Sequence, residues 1–242
     1  VREAGVSIPG EVDAANGVCI QSPRFGWHNL PFADILGEKV HVPVWIDDDV
    51  NAFTVAQRLF GAGRQYKNFV TLAVGTGIGS SLVVNGELFR GSHGAAGKLG
   101  HITAVEGGRL CECGRRGCLM AHSAEPAMVE DWGRAKGFEA TRADFAAAID
   151  EKDEKAIAVM TAAGEMIGRH LADLVNLFDP EVVVAGGESM QFGDAILEPI
   201  KAAMEKYLFF AKPELLPDWV PNSWARGAAA LATQHFFNFE IE

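Results

Sequence analysis

Three of the four cysteines fall within eight positions, as Cys111-x-Cys113-x4-Cys118, with His101 ten residues upstream. Such clustering is poor spacing for a disulfide framework and good spacing for a metal clip. One imidazole and three thiolates make the ligand count of a closed tetrahedral zinc site. The ion is then structural, since a catalytic zinc keeps an open position. Gly107, Gly108, Gly114 and Gly117 let the backbone fold tightly around one ion. The segment from His101 to Cys118 is thus expected to be preorganised by metal. The same residues also admit a set of reduced, buried thiols, and His122 is the alternative imidazole. Cys19 stands alone and reads as a small buried hydrophobe.

The rest of the chain must supply a core. With 242 residues, 48% of them hydrophobic, it can bury one as a single large domain or as two lobes. A net charge of -11 opposes association with a polyanion, so this stretch is not expected to grip DNA by itself. The longest apolar run, Phe69 to Val84, is broken by Gly75, Gly77, Gly79 and two serines, and falls short of the roughly 20 residues a membrane span needs. The opening residues lack a secretory signal pattern. The expectation is a soluble, cytoplasmic protein.

Ala4 to Gly10 reads as a strand running into a turn, with Gly17 to Ser22 as its partner after the Asn16-Gly17 turn. Pro31 opens a short helix, Val42 to Ile46 is a strand ending in Asp47-Asp48-Asp49, and Asn51 to Phe60 is a helix closed by Gly61 and Gly63. Phe69 to Val74 and Ser80 to Val84 are β-rich and joined by Gly75-Thr76-Gly77-Ile78-Gly79, with a hairpin signal at Asn85-Gly86. Helical periodicity follows over 126–136, 142–150 and 154–178, then a buried strand at Val182 to Ala185 ending in Gly186-Gly187, and helices near 194–209 and 226–236. The alternation predicts two α/β lobes.

Backbone N–H groups of the glycine-rich turn, with the hydroxyls of Thr76 and Ser80, can cradle phosphate, although such turns also serve only to reverse the chain. Three successive carboxylates at a strand end repel one another, which raises at least one pKa and suits it to act as a base. They read equally as an acidic helix N-terminus.

Together these features resemble the ROK family of repressors and sugar kinases, including its NagC/XylR-type regulators. The resemblance runs through Pro9-Gly10-x-Val12-Asp13, Trp27-His28-Asn29-Leu30-Pro31, Asp49-Val50-Asn51-Ala52, Gly75-Thr76-Gly77-Ile78-Gly79, and Gly94 to His101. It continues through the cysteine segment, Ala185-Gly186-Gly187-Glu188 and Ala225 to Ala229. It implies an α/β, actin-like or hexokinase-like ATPase fold with ribonuclease H-like lobes. Residues 1–63 would be the remainder of an incomplete N-terminal lobe, with the C-terminal helix 225–242 packing back on it. Residues 64–224 would be the C-terminal lobe carrying the zinc loop. It further implies Asp49 as the base that takes a proton from a sugar hydroxyl, and His101 as a zinc ligand at the edge of the sugar pocket. Gly75, Thr76, Gly77 and Gly79 would lie along ATP phosphates, with Gly186 and Gly187 near the adenosine.

Several positions depart from the family pattern. No Asp-x-Gly-Gly-Thr motif precedes Gly5, so the nucleotide site is expected to be partial and the chain to lack the first strands of its lobe. Asp48 replaces a sugar-binding Asn and has no donor, while Lys98 and Met120 stand where sugar-binding glutamates are usual, and Arg24 replaces a common Asn. Lys98 and Arg24 point to an anionic ligand such as a sugar acid or sugar phosphate; Lys98 could equally pair with Asp48. The reading that follows is the sugar-sensing effector domain of a ROK-type transcriptional regulator, not an enzyme. It would bind zinc structurally, form a homodimer to which exposed aromatics such as Trp219, Trp224, Phe236 or Phe237 could contribute, each reading equally as core, and meet DNA only through an upstream helix-turn-helix. The alternative is an ATP- and magnesium-dependent sugar kinase with Asp49 as base.

Overall fold

The computed structural model describes residues 2–210, 212–220 and 222–237, the last three of these by backbone only. The chain divides into two compact units, each discontinuous in sequence: residues 1–71, 80–97 and 218–242 form one, and residues 72–79 and 98–217 the other.

In the first unit β1 (Ala4–Ile8) pairs in parallel with β5 (Val44–Asp48), Ile8 standing opposite Asp48. Beside them lies an antiparallel sheet of β2 (Glu11–Asp13), β3 (Val18–Ser22) and β4 (Trp27–Leu30). The opening strand therefore does not pair with 17–22, as its turn signals suggested. β3 takes the short β2 as partner, and β1 reaches across some forty residues to β5. Helix α1 (Phe32–Val40) starts at Pro31 and ends at His41, whose left-handed φ of 57° closes it. Helix α2 (Asp49–Phe60) is two residues longer at its start than its periodicity predicts, because Asp48 caps it.

Ile8, Val12, Cys19, Val44 and Ile46 form one buried cluster, so Cys19 is the small core residue expected of it. A second cluster joins Ala52, Val55 and Ala56 of α2 to Ala230 and Leu231 of α8 (Ser223–Phe237). Trp224 stacks on Phe53 with ring centroids 4.8 Å apart, whereas Trp219 is largely exposed. Positions 238–242 of the expected last helix, and the side chains of Phe236 and Phe237, lie outside the described residues.

The chain passes between the units within β6 (Phe69–Val74) and β7 (Ile78–Val84). In the first unit the end of β7 forms a hairpin with β8 (Glu87–Phe89), turning at Asn85-Gly86. In the second unit β9 (Val182–Gly186) lies between β6 and β10 (Glu214–Pro217), with β10 parallel to β9. Val182, Val183, Val184 and Ala185 are fully buried, as a continuous apolar strand requires. Four further helices follow the cysteine segment: α3 (Leu119–Ser123), α4 (Glu125–Lys136), α5 (Arg142–Asp150) and the long α6 (Glu154–Phe178), which packs along α7 (Asp194–Tyr207). Thr141 and Asp144 form a reciprocal capping box at the start of α5, and Asp153 caps α6. Among the described residues no helix is long and apolar enough to cross a membrane.

Candidate metal centre and ligand site

Residues 99–118 of the second unit form a knuckle held by its own backbone. His101 ends a short 3-10 turn, its N–H donating to Lys98 O. Isolated bridges join Thr103 to Cys118 and Leu110 to Arg116. The N–H of Cys111 donates to Arg115 O at 2.8 Å, and that of Gly114 to Cys111 O at 2.9 Å. Gly117 has φ near +80°, and a Cβ there would stand 1.8 Å from Val105 O, so only glycine closes this turn. Arg115 donates from Nη2 to the carbonyl of His101, tying the two ends of the knuckle together.

The result brings all four predicted ligands to one point: Nδ1 or Nε2 of His101 and the sulfurs of Cys111, Cys113 and Cys118 lie within 4.8 Å of one another. Cys113 Sγ and Cys118 Sγ are 3.7 Å apart, and Cys111 Sγ is 3.6 Å from His101 Nδ1. Zinc bonds of about 2.3 Å to sulfur and about 2.05 Å to nitrogen set tetrahedral edges of about 3.8 Å and about 3.6 Å respectively. These two edges therefore match. Without a cation the thiols are poorly placed to ionise: burial pushes Cys111 up to about 12 and raises Cys118. Cys113 is lowered, burial being outweighed by hydrogen bonds from Arg115. His122 stays outside the cluster; its Nε2 accepts from the backbone N–H of Arg109 at 3.1 Å, and burial holds its pKa below the ordinary imidazole value.

In the first unit the three aspartates separate into three roles. Asp47 is 1% exposed and forms an ion pair with Arg90 at 2.8 Å, while its other oxygen accepts from Asn51 Nδ2 and Asp48 N–H. Burial raises the pKa of Asp47, and Arg90 opposes the rise. Mutual repulsion is not among the causes at Asp47. Asp48 spends Oδ1 on the N–H groups of Val50 and Asn51 at the start of α2. Asp49 is half-buried in the first helical turn. Arg24 sits exposed in the turn between β3 and β4. Of the predicted sugar contacts, Arg24, Asp48 and Asp49 belong to the first unit, Lys98 and His101 to the second. Arg90, unremarked in the sequence, is the cation that compensates Asp47.

The glycine-rich turn is constrained by two glutamates that sequence reasoning did not weigh, one through its backbone and one through its side chain. Gly75 N–H donates to Gly77 O, and Gly75 O accepts from the N–H of Glu125 at the start of α4. Glu188, directly after Gly186 and Gly187, lays its side chain on Gly75: a Cβ there would meet Glu188 Oε2 at 1.7 Å. Glu125 is 3% exposed, ion-paired with Arg142 and 3.3 Å from the Ser189 hydroxyl. Burial raises its pKa, and Glu188 adds to the rise. Thr76 is exposed, but Ser80 gives both its N–H and its hydroxyl to Gly97 O. Ser80 thus offers no hydroxyl to the turn. A cavity of about 890 Å³ opens beside Thr76 and Glu125.

A mixed α/β chain with this turn after a buried strand and this knuckle defines the hexokinase-like sugar-kinase fold. The chain belongs to the ROK family, whose sequence profile matches residues 1–235. A glucokinase of Halalkalibacterium halodurans is 33% identical over 218 residues, covering 84% of this chain and 66% of the enzyme. A xylose repressor of Caldicellulosiruptor bescii is 30% identical over 223 residues, covering 86% of this chain and 55% of the repressor. The chain therefore spans less than two thirds of either relative's length. The crystal structure of a ROK family glucokinase from Streptomyces griseus in complex with glucose and AMPPNP superposes with a TM-score of 0.89 at 27% identity, covering 97% of this chain and 82% of the enzyme. Kinases and repressors are both among its relatives.

Proposed function

We propose that this chain is the effector-binding part of a ROK-type transcriptional regulator that senses a sugar or sugar derivative in the cytoplasm and does not phosphorylate it. The observation that carries the reading is the charge at the glycine-rich turn. Phosphoryl transfer needs positive or dipolar stabilisation where the transferred group's charge develops. Here the Glu188 carboxylate packs on Gly75 and a buried Glu125 opens the adjoining helix. A carboxylate at the turn repels a like-charged phosphate and so opposes the attraction that a helix N-terminus offers.

Residues His101, Cys111, Cys113 and Cys118 hold one structural zinc ion in this reading, supported by the two edge lengths. The ligand's polar contacts come from Asp48, Asp49, Lys98 and Arg24. The last two favour an anionic sugar derivative, and calorimetry comparing sugar acids or sugar phosphates with neutral hexoses and pentoses tests that preference. DNA contact belongs to a separate helix-turn-helix in a homodimeric assembly.

A second reading, the ATP-dependent sugar kinase, is favoured by Asp49 in the first turn of α2. The deciding experiment incubates the protein expressed from its full reading frame with magnesium, ATP and a sugar panel and follows ADP. Regulator function predicts no sugar-dependent ADP and ligand-dependent release from operator DNA. Sugar-dependent ADP that disappears in Asp49→Asn would establish the kinase instead.

A further inference from the structure

The knuckle between His101 and Cys118 places its thiols unequally. Cys111 and Cys118 are buried, at 4% and 1% exposure, whereas Cys113 is only partly covered. Cys118 is also fixed through its backbone, by the bridge to Thr103 and by Gly117, whose turn closes against Val105 O. Cys113 stands on the open side. Its neighbour Gly114 turns at a φ of +83° with no atom within 4 Å of where a Cβ would stand, and residues 112, 114, 115 and 116 are all exposed. One sulfur is therefore anchored, and the other sits on a segment with room to shift.

The two are also close, with Cys113 Sγ 3.7 Å from Cys118 Sγ. A disulfide needs about 2.05 Å, which leaves the sulfurs roughly 1.7 Å to close, within reach of side-chain rotation at Cys113. Cys111 has a different neighbour, its Sγ lying 3.6 Å from His101 Nδ1. Cys19 is enclosed in the core of the first unit.

We propose that Cys113 and Cys118 are a peroxide-sensitive pair, oxidised to a disulfide with release of the zinc ion. The inference rests on the zinc reading above, because a bound ion keeps both sulfurs as thiolates, the form that attacks peroxide. The Cys113 sulfur attacks one peroxide oxygen and the O–O bond breaks. A sulfenic acid forms, and the second oxygen leaves as hydroxide. The Cys118 thiolate then attacks that sulfur; the S–S bond forms, the S–O bond breaks and a second hydroxide departs. Two protons from solvent turn both hydroxides into water. Two electrons have passed from the sulfurs to the peroxide, and the zinc, left with only His101 and Cys111, is released. The regulator thereby gains an oxidative input beside its sugar ligand.

The test measures zinc in the full-length protein, adds hydrogen peroxide together with a chromogenic zinc chelator, and maps the unreduced peptides by mass spectrometry. Trypsin cuts at Arg115 and Arg116, between the two cysteines, so the link joins two peptides. Fragmentation then distinguishes Cys113 from Cys111. Peroxide should release the zinc with a Cys113–Cys118 link, and dithiothreitol with added zinc should restore the starting state. Cys19→Ser should release zinc as the wild type does. Cys113→His supplies a fourth ligand but cannot form the link, and should release zinc at least about tenfold more slowly. If that variant fails to hold zinc, the wild-type map still decides. Zinc retained under peroxide overturns the inference alone, as does release with a disulfide through Cys111 or with sulfinic acid in place of a disulfide. A chain that carries no zinc before peroxide is added overturns the metal reading, and this inference with it.

Discussion

Asp47 is a buried acid that carries its own counter-ion. Its carboxylate is nearly inaccessible and depends on Arg90, whose side chain is 34% exposed. Arg90→Met leaves that carboxylate uncompensated. The cost should be about 2–3 kcal/mol, somewhat below that of breaking a fully buried pair because solvent screens the arginine. Denaturant unfolding checks this, and the double variant Arg90→Met with Asp47→Asn should recover much of the loss. The pH dependence has a definite sign. Burial raises Asp47 above its ordinary value of 3.8, so the folded chain holds this proton more tightly than the unfolded chain. Its contribution is greatest below that value and is lost as pH rises through the raised pKa. Asp47→Asn should flatten this portion of the stability profile. The sequence showed three adjacent carboxylates but not which one would take a counter-ion, since Arg90 lies 43 positions from Asp47.

Elements divide by how local their causes are. Helices α5 and α6 follow their predicted limits of 142–150 and 154–178 because caps at Thr141 and Asp153 act within three residues. The gathering of His101 with the three cysteines was readable for the same reason: these residues are close in sequence and the glycines among them permit the turns. Strands β2, β4 and β10 are three or four residues long, too short for a period to register, and the parallel pairing of β1 with β5 has no local signature. Two measurements test the elements. Asp153→Ala removes the α6 cap and the contacts to Lys136 and Trp132, and should lower Tm more than Asp153→Asn, which keeps a capping oxygen. Elemental analysis should find about one zinc per chain, and none in Cys118→Ser. Stripping zinc with a chelator should open Arg109, Arg115 and Arg116 to trypsin, because the thiols alone are not linked.

For the whole molecule, charge makes the plainest statement. A chain with a net charge of -11 should show no retardation of duplex DNA at physiological salt, measured by gel shift with these 242 residues alone. Family membership and fold were legible from motif order, because the glycine turns and the cysteine knuckle are each local and occur in a fixed sequence. The two glutamates that meet the turn, Glu188 by its side chain and Glu125 by its backbone N–H, were not legible as a group. Glu125 and Glu188 are 63 positions apart, and only the fold sets both against Gly75.

The discontinuity of the two units bears on how the chain is made. Residues 98–217 leave the ribosome as one stretch and contain nearly all of the second unit, including the knuckle and helices α3 to α7. The first unit begins earlier but is completed last. Its α2 surface at Ala52 and Val55 stays uncovered until Ala230 and Leu231 of α8 emerge. Within these residues the α2 surface must therefore wait for α8 to be made. During that interval the apolar α2 surface is open to solvent.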